Sequence, residues 1–95
     1  MKQQEVFRAL ADPTRRAILK RLQKGSLSAG EIGAMFDMTG ATLSHHFTAL
    51  KQADLVRNER RGRNIVYSLN TSVMEDLTRL VLDLVPATRG RGEGK

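Results

Sequence analysis

Apolar residues recur at helical spacing through the first half of the chain and alternate with polar ones just after it. Val6, Phe7 and Leu10 share one face of a first helix over 3–11. Asp12-Pro13 closes that helix and opens the next. Asp accepts first-turn N–H groups, Pro suits the first helical position, and the residue before Pro avoids helical geometry. The second helix, over 13–24, turns Ile18, Leu19 and Leu22 inward and leaves Arg15, Arg16, Lys20, Arg21 and Lys24 outside, with Gly25 as its stop. Those cations read as a solvated face, with Arg15 or Arg16 within reach of a phosphate.

The stretch 28–55 carries two helix starts in quick succession. Ser28 and Glu31 stand at capping-box spacing, flanked by Leu27 and Ile32 as a hydrophobic staple. They predict a helix over 28–36 with Ile32, Met35 and Phe36 inward. Gly30 and Gly33 each weaken it by about 1 kcal/mol relative to Ala, and either admits close approach of another helix or of a DNA backbone. Thr39 is the N-cap of a fourth helix over 39–53, with Met38 and Leu43 at staple spacing. Asp37 sits in the short connection, where the chain needs a left-handed or turn conformation that Asp tolerates. Two short helices joined by a tight turn form a helix-turn-helix. With Leu43 at the centre of the buried face, steps of about 100° put Phe47, Leu50 and, at the edge, His46 inward. Ala41, His45, Thr48 and Gln52 then point outward, with Thr42 and Ser44 on the shoulders. The first outward residues of such a helix reach base edges. Ala41 offers a methyl to thymine, while Thr42, Ser44 and His45 offer hydrogen bonds. The expected DNA-contacting set on this helix is Thr39, Gly40, Ala41, Thr42, Ser44, His45, Thr48 and, for a phosphate, Lys51.

After Leu55 the period becomes two, and residues 56–69 read as a hairpin turning at Gly62 with Arg60, Arg61 and Arg63 at its tip. So cationic a tip suits a wing lying on phosphates or in a narrow minor groove; otherwise it is an edge guarded by charge. Ile65, Tyr67 and Leu69 share one face of the second strand. Asn70-Thr71-Ser72 opens a last helix, with Ser72 and Glu75 at capping-box spacing. Its stripe of Val73, Leu77, Leu80, Val81 and Leu84 exceeds what one small core covers. With Val6, Phe7 and Leu10 of the first helix it is the expected dimer interface. Pro86 ends the helix, and residues 86–95 form an expected disordered tail after a domain spanning 1–85.

Charge sharpens this picture. Residues 1–70 hold twelve basic and six acidic groups and residues 71–95 four of each, so the whole net charge of +6 lies with the reading segment. That asymmetry favours a polyanionic partner. The 95 residues contain no Cys, which removes disulfides and thiolate metal sites, and no apolar run or signal peptide suggests membrane insertion; a cytoplasmic protein is expected. Neighbouring helical residues diverge by about 100°, so His45 and His46 cannot chelate one metal, nor Ser44 and His45 converge on one reacting atom. No enzyme activity, metal or cofactor is expected.

The segments ALADPTRRAIL (9–19), LSHHFTALKQADLV (43–56) and GRNIVYSLN (62–70) resemble the ArsR family of winged helix-turn-helix repressors, most of all its SdpR-like autorepressor branch, which lacks a metal site. The resemblance covers about residues 3–85. It implies a mainly α fold with a small β-hairpin, a homodimer through the first and last helices, and repression at a double-stranded DNA operator, relieved by an unknown inducer or a sequestering protein. It also places Thr42, Ser44 and His45 at the DNA and Arg61 to Arg63 in the wing. The chain departs from metal-sensing members: no cysteine follows the second helix, and the last helix offers Glu75, Asp76 and Asp83 without a histidine. A metal- or small-molecule-responsive sensor and a non-specific nucleoid-type binder are the alternatives.

Overall fold

The computed structural model describes residues 1–87; the remainder of the expected tail lies outside the described residues. In chain order the elements are α1 (Gln3–Leu10), α2 (Pro13–Leu22), β1 (Leu27–Ser28), α3 (Ala29–Phe36), α4 (Gly40–Gln52), β2 (Val56–Arg61), β3 (Asn64–Leu69) and α5 (Thr71–Leu84). This is a winged helix-turn-helix. The five helices and the hairpin are those the hydrophobic pattern predicts, with α1 to α4 each shorter by a residue or two. β1 is an addition: Leu27 pairs with Tyr67 and Ser28 with Val66, giving a three-stranded antiparallel sheet of order β1-β3-β2. A two-residue strand has no alternation to read, because its partner makes it a strand.

The core gathers Val6 and Ala9 of α1, Ile18, Leu19 and Leu22 of α2, Leu27, Ile32 of α3, Leu43, Phe47 and Leu50 of α4, then Ala53, Leu55, Val56 and Tyr67. Phe47 and Tyr67 stack with ring centroids 3.9 Å apart and planes 13° from parallel, joining α4 to the sheet. Burial raises the Tyr67 phenol above its ordinary pKa.

Four expectations are corrected. Val6, expected on the interface face of α1, is 0% exposed and belongs wholly to the core, whereas Phe7 is 47% exposed. Met35 points out of α3 because the buried arc of that helix lies toward Gly33 and Phe36, where α4 approaches. Arg15 points inward, drawn by the end of α1 as described below. The last helix has no Ser72–Glu75 box: it starts at Thr71 behind Asn70, which makes no side-chain cap. Asn70 instead accepts from an Arg57 Nη at 3.4 Å and donates its N–H to Leu55 O at 3.0 Å, tying α5 to the start of the hairpin.

Asp12 caps α2 by accepting from the N–H groups of Thr14 (2.8 Å) and Arg15 (3.1 Å). The Arg15 N–H is the main reason its carboxyl is held below its ordinary pKa, partly opposed by desolvation. Asp12→Ala is expected to cost about 1 kcal/mol at neutral pH. Because the folded pKa is the lower one, the wild-type advantage is present above the ordinary carboxylate range, and it vanishes as pH falls through the lowered value. Urea midpoints of both proteins at several pH values check this; a gap that persists in strong acid would rule out a charged cap.

Candidate nucleic-acid interface

The helix-turn-helix is built by caps at every junction. Ser28 Oγ accepts from the Glu31 N–H (3.1 Å) and a Glu31 carboxylate oxygen accepts from the Ser28 N–H (2.8 Å), completing the box. The same contacts to Ser28 hold the Glu31 carboxyl below its ordinary pKa. α3 ends where Asp37 takes the left-handed conformation, φ 51° and ψ 52°, and Met38 N–H reaches back to Gly33 O at 3.4 Å. Thr39 then caps α4: its hydroxyl oxygen accepts from the Thr42 N–H (3.2 Å) and its proton goes to Thr42 Oγ1 (3.0 Å). Thr42 therefore keeps its own hydroxyl proton to donate outward. A Cβ placed on Gly33 would lie 3.1 Å from Leu43 Cδ2, so this glycine serves the approach of α4 to α3. Gly30 meets nothing closer than 4.0 Å.

The far end of α4 is closed equally firmly. Asp54 is left-handed at φ 58°; its N–H donates to Lys51 O (2.9 Å) and that of Leu55 to Leu50 O (3.0 Å). This pair of bonds is a Schellman closure with Asp in the place usually taken by glycine.

Between these ends, Leu43, His46, Phe47 and Leu50 are buried, while Thr39, Gly40, Ala41, Thr42, Ser44, His45, Thr48 and Lys51 are all exposed. Every candidate reading residue thus lies on the outer side of one rigid helix, as the helical stepping predicts.

The hairpin register pairs Asn58 with Tyr67, Glu59 with Val66, Arg60 with Ile65 and Arg61 with Asn64, and turns at Gly62 with φ 62°. Arg60, Arg61 and Arg63 are exposed, but they are not equivalent. Side chains alternate across a strand, so Arg60 shares the face of Tyr67, on which α4 packs, and Arg61 occupies the opposite face with Arg57 and Glu59. Arg61 is also engaged by Glu59 at 3.0 Å. Period-two spacing alone reveals the opposed faces; the Glu59 pair needs the fold, and the exposed Arg57 precedes the cationic tip on the face of Glu59 and Arg61.

Arg15 lies inward, opposite to the side its run of cations predicts. Arg15 is 9% exposed, and its guanidinium donates from Nε to Ala9 O (2.9 Å) and from an Nη to Arg8 O (3.1 Å), with the other Nη 3.4 Å from His46 Nδ1. Arg16 donates to Leu10 O at 2.7 Å. Two cations thus cover the last carbonyls of α1, where the helix dipole is negative. Among the described residues no three His, Cys, Asp or Glu side chains gather as a metal site, and no helix is long and apolar enough to cross a membrane.

A family model described as a helix-turn-helix domain matches residues 10–59. The chain is 42% identical to the transcriptional repressor SdpR of Bacillus subtilis over 80 residues, covering 84% of this chain and 89% of that protein. It is 34% identical to a transcriptional repressor SmtB homolog of Synechocystis over 79 residues, covering 83% of this chain and 60% of that protein. The fold is similar to a crystal structure of an ArsR family transcriptional regulator with a TM-score of 0.82 at 27% identity, covering 88% of this chain and 92% of that one.

Proposed function

The chain belongs to the ArsR family of winged helix-turn-helix repressors and represses transcription by binding DNA, and from that premise we propose that it acts as a homodimer on an inverted-repeat operator, including that of its own operon. The observation that carries the reading is the outer face of α4, where Ala41, Thr42, Ser44, His45 and Thr48 are all exposed on a helix capped at both ends. Thr42, Ser44 and His45 supply the sequence preference, with Thr39 and Gly40 at the positive helix start and Lys51 further along meeting phosphates. A two-fold axis sets the two α4 helices in successive major grooves, roughly 34 Å apart. The wing arginines add affinity, and occupancy of the promoter blocks polymerase.

Dimerisation rests on uncovered apolar surface. No residue of α5 is fully buried; Val73, Leu77 and Leu80 are half-covered, while Val81 and Leu84 are exposed, Leu84 at 76%. With Phe7 and the half-buried Leu10 they form the seam we propose; Val6 is excluded by its burial. Leu80→Asp is expected to give monomers in sedimentation, because an uncompensated charge enters that seam. An unchanged dimer would put the seam elsewhere.

His45→Ala tests the reading function. Competition between a selected duplex and random DNA at physiological salt should show the preference reduced about tenfold, the worth of one good base contact. Equal losses on both duplexes would make His45 a phosphate contact instead. A wild-type protein with no preference would favour a non-specific coating role.

A further inference from the structure

We propose that Arg15 and His46 form a positioning link that holds the reading helix in register with α1, and so sets the half-site spacing the dimer accepts. The inference rests on the homodimeric reading above. Its ground is one planar group with contacts on two helices. The Arg15 guanidinium, fixed by the carbonyls of Arg8 and Ala9 at the end of α1, presents its remaining Nη to His46 Nδ1 in α4. Guanidinium only donates, so the contact is a hydrogen bond in the tautomer whose Nδ1 accepts. His46 is 7% exposed and directly follows the exposed His45.

The burial itself is informative. A cation taken this far out of water gains little net stability over an apolar residue of similar volume, so stability alone does not account for it. What a five-donor fork provides is direction: with two carbonyls fixing its plane, the third contact has one place to be. The start of α1 is also joined to the end of α4, since Lys2 Nζ donates to Gln52 O at 3.3 Å and lies 3.5 Å from an Asp54 carboxylate oxygen. That second contact is solvent-exposed and soft. Of these two polar contacts the buried one is therefore the stiffer, and it adds direction to the apolar packing of Val6 and Ala9 against α4. Because α1 carries Phe7 and Leu10 toward the partner subunit in the proposed dimer, a swing of α4 against α1 changes the distance between the two reading helices.

The test compares His46→Leu, which keeps apolar volume without an acceptor, with His46→Asn, whose carbonyl oxygen stands where Nδ1 stood. Each full-length protein selects duplexes from a random pool, and binding to the wild-type winner and to random DNA is measured alongside the melting temperature. Wild type and His46→Asn should select a single half-site spacing. His46→Leu should select a spread of spacings and bind the wild-type winner about tenfold more weakly, with random DNA unchanged. If the Leu and Asn variants select the same spacing with equal affinity, the link is packing alone and the proposal falls. If wild type selects no paired half-sites at all, the dimeric operator reading falls first and takes the link with it. A loss in His46→Leu that tracks melting temperature and is equal on both duplexes also overturns it.

Discussion

Phe47→Ala is expected to lose about 3–5 kcal/mol of stability, the cost of emptying a large aromatic site in a well-packed core. The ring is 5% exposed and stacks on Tyr67 at 3.9 Å, so truncation leaves a cavity and also removes an aromatic pair worth about 1 kcal/mol beyond its area. A domain of this size has about 5–15 kcal/mol in total, so the loss is a large fraction of its stability. The functional effect should exceed the stability effect. Phe47 attaches the reading helix to the hairpin through Tyr67, and a loosened seam lets α4 and the wing move independently. Urea unfolding followed by circular dichroism measures the loss. A cost below about 1 kcal/mol would show that α4 is held to the sheet by something other than this stack. Phe47→Leu, which keeps most of the volume, should recover most of the stability.

Neutralising Arg60, Arg61 and Arg63 together is expected to weaken binding to any duplex roughly a hundredfold at physiological salt, if each lost phosphate contact is worth about 1 kcal/mol. The slope of log affinity against log salt should flatten by about 0.9 for each contact removed, so by roughly two to three in total. An unaltered slope would take the wing off the DNA. The single variants should differ, for a reason visible only in the fold. Arg61 is paired with Glu59, and Arg60 faces the side of the sheet on which α4 packs. Arg60→Ala should therefore exceed Arg61→Ala. Glu59→Gln should tighten binding a few-fold by releasing Arg61 and removing an anion from the wing. These effects should be equal on operator and random DNA, which separates the wing from His45.

Ser28, Glu31, Thr39 and Asp12 are capping residues whose partners lie two or three positions away, so the signal and the structure share one short stretch of chain. The outward face of α4 followed from Leu43 and a constant angular step, because a helix is regular enough for one buried residue to orient the others. Of the left-handed or turn conformations expected of Asp37, it takes the left-handed one, at φ 51°, in the short connection between the two helices.

The misses have an equally definite cause. Arg15 sits in a run of cations whose pattern predicts an outward side chain, but the carbonyls of Arg8 and Ala9 stand at the end of the preceding helix and draw it in. Nothing in the spacing of α2 records where α1 ends in space. Met35 was turned inward by a period that cannot tell which flank of Ile32 another helix will cover, and the approach at Gly33 decides it. β1 exists because Tyr67 and Val66 lie alongside Leu27 and Ser28, some forty residues away in the chain.

The sequence by itself determined the helices, the caps of α2, α3 and α4, the outward face of α4 and the concentration of charge near it, because each is specified by residues within a turn or a strand of one another. Only the tertiary structure decided that Val6 is core while Phe7 is surface, that Glu59 engages Arg61 while Arg60 lies on the sheet face α4 covers, and that Arg15 joins α1 to His46. Those outcomes depend on which surfaces meet, and short-range pattern holds no record of a neighbour that arrives from elsewhere in the chain.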